Sequence, residues 1–290
     1  MWPSRRNGEP EGNRASCALG QAFRRCALAL AVLAPLALTA PAISAPWQAS
    51  LTPDAASPTP TVRPFEAEYR IGWTDIEAAR ARIKICRDPD RLRLEGAAET
   101  TGVARVLWQL DATINSSTSL PGLQTIFTTQ EEKYAGRSIL TQIVARPDGI
   151  WRLRENFPPG ENPARWKRIK LSPLRDLFSG MLFIRSQPLA AGETVSTVIF
   201  PGDAPFLVTI KSLGVETLTL AGLSREALKL SIELQRINLK KDLRLEPHGK
   251  FRNGTVWLSN DSDRIPLRAE LQIFVGYVFA ELESIRLNSP

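Results

Sequence analysis

The chain of 290 residues has one histidine, His248, and three cysteines. A Ser-His-Asp or Cys-His nucleophile would have to use that histidine, which sits between Pro247 and Gly249 in a turn context, and the chain carries no Gly-x-Ser-x-Gly elbow. Zinc ligation needs several Cys or His side chains. Cys17 and Cys26 lie in the first 26 residues, so Cys86 stands alone in the body and can form no intramolecular disulfide there. Walker and dinucleotide-binding loops are absent. We therefore expect neither catalytic residues nor a cofactor or metal, and a fold held by its hydrophobic core.

Long apolar runs are also scarce. Apart from Pro35, residues 26–38 are apolar, too few to span a bilayer comfortably. Five arginines against two glutamates precede them, and Ala40-Pro41-Ala42 follows. A basic n-region, a short h-region and an Ala-x-Ala site describe a secretory signal peptide over residues 1–42, with cleavage near Ala40, Ala42 or Ala45. The alternative is an uncleaved anchor. The net charge is +7; the leader holds +3, so the remainder carries only +4, no footprint for nucleic acid. An exported, periplasmic protein follows from this pattern.

Residues 43–64 are rich in Pro, Ser, Thr and Ala and read as an extended linker. Order begins at Phe65. Phe65, Ala67, Tyr69, Ile71 and Trp73 alternate with Glu66, Glu68, Arg70 and Gly72. The same period of two recurs at 79–85, 91–95, 106–114, 124–133, 138–145, 150–154, 194–200, 206–212 and 228–235, separated by turns such as Asp88-Pro89-Asp90 and Arg146-Pro147-Asp148-Gly149. The pattern predicts an antiparallel meander in one β domain over residues 65–287. Arg165 to Lys170 is its densest basic cluster, read as the solvated face of a strand.

One segment breaks the pattern. Ser172 suits an N-cap, Pro173 the first helical position, and Asp176 the positive end of the dipole. Leu174, Leu177, Phe178, Met181 and Leu182 then recur at helical spacing as one stripe. The expected architecture is mainly β: a strongly curved antiparallel sheet or open barrel with one amphipathic helix packed on it. Leu174, Leu177, Phe178 and Met181 would form the wall of an apolar cavity for a lipid or similar ligand.

The last strands carry the densest motif. Trp257-Leu258-Ser259-Asn260-Asp261-Ser262-Asp263-Arg264-Ile265-Pro266 is a strand and a polar turn, with Asp261 and Arg264 placed to pair across it. Leu267, Ala269, Leu271, Ile273 and Val275 then alternate inward, and Gly276 permits a bend before Tyr277. This motif resembles the C-terminal signature of exported bacterial proteins in family 3108 of domains of unknown function. Tyr69 to Trp73, Leu120 to Leu123, Asp176 to Arg185 and Ala191 to Glu193 are similar to other parts of that family, and the resemblance covers roughly residues 65–287. It implies an envelope location and a mainly β fold, and brings no catalytic residues. Trp257, Asp261, Arg264, Pro266 and Gly276 are read as structural. The functional expectation is non-enzymatic binding of a hydrophobic or amphiphilic molecule; the alternative is a structural or assembly partner of another envelope protein.

Intact-mass measurement of the exported protein is expected to show loss of residues 1–42 or 1–45. A mass that retains residues 1–25 would contradict the leader assignment.

Overall fold

The computed structural model describes residues 45–54, 62–74, 76–160, 163–220, 222–249 and 253–287. The expected leader lies outside them. Fifteen strands follow a short 3₁₀ turn at Pro46–Ser50. The first eight are β1 (Phe65–Trp73), β2 (Ile76–Arg87), β3 (Arg91–Thr100), β4 (Leu110–Ser119), β5 (Thr125–Tyr134), β6 (Arg137–Arg146), β7 (Gly149–Phe157) and β8 (Lys167–Ile169). The others are β9 (Thr194–Ile199), β10 (Phe206–Leu220), β11 (Leu223–Asn238), β12 (Arg244–Pro247), β13 (Gly254–Ser259), β14 (Pro266–Gln272) and β15 (Tyr277–Leu287). Two helices interrupt them, α1 (Gly102–Leu107) and α2 (Leu177–Ser186).

All pairings are antiparallel, and the strands form one open sheet in the order β8-β7-β6-β5-β4-β3-β2-β1-β15-β14-β13-β11-β10-β9, with β12 beside β11. Two sequential meanders are thus joined by the first and last strands, with Phe65 opposite Leu287 and Trp73 opposite Val278. The mainly β, strongly curved expectation holds, and the hydrogen-bonded path does not close into a barrel. Its two ends meet instead through side chains: Ile143 and Ile169 from one end pack with Val198, Leu207 and Ile237 from the other. Arg175 forms an isolated parallel bridge with Ile199 in the seam.

Alternation explains most strands. Inward Ile85, Leu92 and Leu94 pack with Phe65, Tyr69, Trp257 and Leu267 in the largest core cluster, while outward Arg80, Arg82 and Arg93 stay in water. The outer face is not wholly solvated. Glu281 is buried between Arg70 and Arg268, at 2.6 and 2.5 Å, and both guanidinium groups lie over the Phe279 ring. Paired charges and an aromatic plate cover the sheet there.

Three readings need correction. The strand expected over residues 106–114 starts only at Leu110, because Gly102 takes φ +52° and the chain turns into α1, leaving Val106 and Leu107 exposed. The strand expected to run inward through Val275 ends at Gln272. Ile273 N–H donates to the Gly276 carbonyl, and this tight turn puts Phe274 and Val275 outside. The linker is also not a free tether over residues 45–54. Trp47 Nε1 donates to the Leu243 carbonyl, and Thr52 exchanges hydrogen bonds with Ser196 on the edge strand β9. Covering an open edge removes unpaired backbone groups from water.

Gly276 has φ +74°, and a Cβ there would lie 2.5 Å from Thr74 Oγ1. A left-handed L-residue costs about 1–2 kcal/mol before any clash. Gly276→Val is expected to lower unfolding free energy by at least that much in urea titration, and wild-type stability would refute the assigned turn.

Candidate functional site

The helix α2 begins later than the sequence suggested. Ser172 and Pro173 precede it, and Asp176 is the N-cap, its carboxylate accepting from Ser179 N–H at 2.7 Å. The same carboxylate accepts from the hydroxyls of Ser116, Thr128 and Ser179, and from Thr125 at 3.3 Å. Thr125 in turn accepts from Asp176 N–H. All five residues are buried, so strands β4 and β5 supply the donors that water would otherwise give. Gly180 lets the helix touch β9: a Cβ there would come within 2.6 Å of Ile199.

Two buried arginines hold the rest. Arg175 donates to Asp54 and to Thr197 at 3.0 Å and lies over the Phe183 ring; burial pushes its pKa down, opposed by Asp54. Arg185 donates to the Asp263 carbonyl from inside the core, and burial pushes its pKa down to about 10, opposed by Tyr69 and Asp263. The motif turn completes the clamp. Asp261 accepts from Ser259 Oγ and from the backbone N–H groups of Asp263 and Arg264, at 2.7–3.0 Å. Arg264 reaches the carbonyls of Arg185, at 2.8 Å, and Gln187. A cation on the last carbonyls of a helix is favourable. The side-chain pair expected between Asp261 and Arg264 does not form; Arg264 is spent on the helix end. Pro266 opens β14 and its carbonyl accepts from Tyr69 Oη at 3.0 Å, while buried Trp257 donates to Glu216 at 2.6 Å.

The expected cavity wall is not one surface. Leu174 lies upstream of the helix in the seam cluster, and Phe178 is in the main core with Met181 partly buried against it. Leu177 is 53% exposed. The inward face is instead Phe178, Ser179, Leu182, Phe183 and Arg185, where Ser179 bonds Asp176 and Arg185 the Asp263 carbonyl. Polar residues on a buried helix face displace an apolar-stripe reading. His248 packs on Phe206, ring centroids 5.1 Å apart. Lys167 and Arg168 are exposed on β8, as read.

Open space lies elsewhere. Inward positions align in rows across β2 to β6. Ile85, Leu94, Ser116, Thr128 and Ile143 form one row, fully buried beside the helix. Two steps along, Ala81, Ala98, Ala112, Glu132 and Ile139 form another, only half-buried. Small side chains at successive inward positions leave a mouth at this end, apolar over β2 to β4 and polar from β5. Tyr134 donates to Glu132 at 2.8 Å there, and burial followed by that bond pushes its pKa up. A hollow of about 460 Å³ touches Ala81, Ala98 and Ala112 of this row and is rimmed by Glu68, Arg80, Arg82 and Lys133, and a second, of about 470 Å³, lies apart beside Asn260, Asp261 and Arg264. None of Leu174, Leu177, Phe178 or Met181 lines either.

A family profile described as Protein of unknown function (DUF3108) matches residues 68–283. The chain belongs to this family. No curated protein matches it. Among solved structures, a β-barrel-like protein of domain of unknown function DUF1849 from Brucella abortus has a TM-score of 0.51 at 8% identity, over 79% of this chain and 99% of that one. A protein provisionally described as a lipoprotein, from Parabacteroides distasonis, gives 0.32 at 8% identity over 78% and 97%. A protein provisionally described as exported, with a YmcC-like fold, from Bacteroides fragilis gives 0.32 at 10% identity over 80% and 100%. The first shares the curled β architecture. In this DUF3108 chain the quoted motif residues Asp176, Arg185, Asp261 and Arg264 all serve to dock one helix.

Replacing Asp176 by Ala removes an N-cap, worth about 0.5–2 kcal/mol, and takes the shared acceptor from four buried hydroxyls, at about 1–3 kcal/mol for any left unpaired. Asp176→Ala is expected to lose at least about 2 kcal/mol by denaturant midpoint, and Asp176→Asn less, because the amide oxygen still accepts. Equal stability of both variants and wild type would refute the clamp.

Proposed function

We propose that this DUF3108 protein is an exported, periplasmic protein of the cell envelope that binds a hydrophobic or amphiphilic molecule without catalysis. Export rests on the leader pattern of residues 1–42. The binding site is the mouth, not the helix wall that the sequence suggested. One observation carries the reading: the inner face is filled at one end and thinly covered at the other. Ile85 and Leu92 are 0% exposed, whereas Ala81, Ala98 and Ala112, on the same face, remain half open.

The chemistry of that mouth suits an amphiphile. Ala81, Ala98 and Ala112 offer a smooth apolar wall that an acyl chain can lie against, and Glu132 with Tyr134 offers polar groups for a head. Preformed apolar hollows with a few polar groups bind such molecules by excluding water from both surfaces.

Ala98→Phe fills the mouth without adding charge. Native mass spectrometry of protein purified from its own envelope should show bound lipid on wild type and at least a twofold lower load on Ala98→Phe, with the melting temperature of the variant little changed. Finding no bound small molecule on wild type, under conditions that retain lipid on a known carrier, would retire the reading.

A further inference from the structure

Three connections meet at the open end of the sheet. The β1–β2 turn carries Trp73 and Ile76, the β3–β4 connection carries α1 and Trp108, and the β14–β15 turn carries Phe274 and Val275. Backbone bonds hold them side by side: Thr74 N–H donates to the Tyr277 carbonyl at 2.7 Å, and Thr101 N–H to the Ala78 carbonyl at 2.9 Å. Trp73 Nε1 donates to the Val275 carbonyl at 2.8 Å. Every one of these tips bears exposed apolar side chains. Val103, Val106, Leu107 and Phe274 are 74–87% exposed, and Ile76 and Val275 stand only slightly lower.

We propose that this rim docks on a lipid surface, inserting its tips at the boundary between head groups and acyl chains. The order of the side chains supports that occupant. The most exposed are aliphatic groups and one phenyl ring. The two tryptophans are less exposed and anchored, Trp73 by its bond to the Val275 carbonyl and Trp108, level with Val275 in exposure, by stacking on Tyr134 at 6.2 Å. Fully exposed hydrocarbon accompanied by partly exposed indoles is a composition that a membrane interface accepts. The shape agrees. Three separate convex tips need a matching hollow in a protein partner, whereas a fluid lipid layer closes around each one.

Charge narrows the surface further. Arg105, the only charged residue of α1, pairs with Asp111 at 2.8 Å. Arg80 pairs with Glu77 at 2.8 Å, and Lys133 with Glu131 at 3.3 Å. These three cations beside the rim are already matched, so their attraction to anionic head groups contributes little, and Arg137 beside Tyr134 is the exception. The rim fits a zwitterionic lipid surface through apolar contact, and its binding resists salt. This inference stands on the rim alone and does not require a ligand in the mouth.

The test is flotation of the full exported protein with phosphatidylcholine vesicles in 0.1 M and 1 M NaCl. The double variant Val106→Asp/Leu107→Asp alters two side chains that make no core contact, so the fold should survive; thermal melting checks this. Leu223→Asp, at an exposed apolar position that opens β11 at its end away from the rim, serves as control. Wild type and Leu223→Asp should float equally at both salt concentrations, with the double variant partitioning at least tenfold less. Phe274→Asp should fall in between, and provides the test if the double variant misfolds. Wild type that stays in solution, or rim variants that float as wild type does, would overturn the proposal. So would flotation that requires anionic lipid and vanishes in 1 M salt. If wild type ignores vesicles but the rim variants lose a specific envelope protein on affinity purification, the rim belongs to a protein partner and the lipid inference fails.

Discussion

A carboxylate buried without an arginine beside it is costly unless every lone pair finds a donor. Asp176 meets that demand with Ser116, Thr125, Thr128 and Ser179, and the solution fixes where α2 can sit. Because its donors come from β4, β5 and the helix itself, the helix cannot slide along the sheet without stripping the carboxylate. Arg185 and Arg264 impose the same condition at the other terminus. The helix is therefore fixed at both ends by polar bonds, while its apolar side chains only fill the space between.

That placement divides the interior. Where α2 lies, the inward positions are filled: Phe178 and Leu182 close over Ile85, Leu92 and Leu94, and Asp176 over Ser116 and Thr128. Beyond the helix the chain uses alanine at inward sites of three neighbouring strands, and these are only partly covered. The filled half supplies the hydrophobic core of the domain, and the unfilled half is free to do something else. The apolar tips stand around that second half.

Much of this was legible in sequence. Alternation of Phe65, Ala67 and Tyr69 with Glu66, Glu68 and Arg70 is a local signal, and the strands it marked are present. The alanines at 79, 81, 98 and 112 were visible too; their meaning appears only when register aligns them across three strands. Other features were hidden for physical reasons. Val106 reads as a strand residue because propensity is blind to Gly102, whose left-handed φ turns the chain into α1. The buried roles of Ser179 and Arg185 depend on partners tens of residues away, which no helical period encodes. The same holds for Arg264, whose nearest acid in sequence is not its partner.

The pairing of β1 with β15 also sets an order of events. A chain made N-terminus first delivers β1 at the start and β15 at the end, more than 200 residues apart. Residues 45–54 face the same delay, since Asp54, Thr52 and Trp47 await Arg175, Ser196 and Leu243. Each meander can zip locally as it emerges, but the seam between them stays open until the last strand is through. Such long-range closure is slow. An unfinished chain thus lacks its central pairing, and loss of the final strand leaves two half-sheets with their central edges bare.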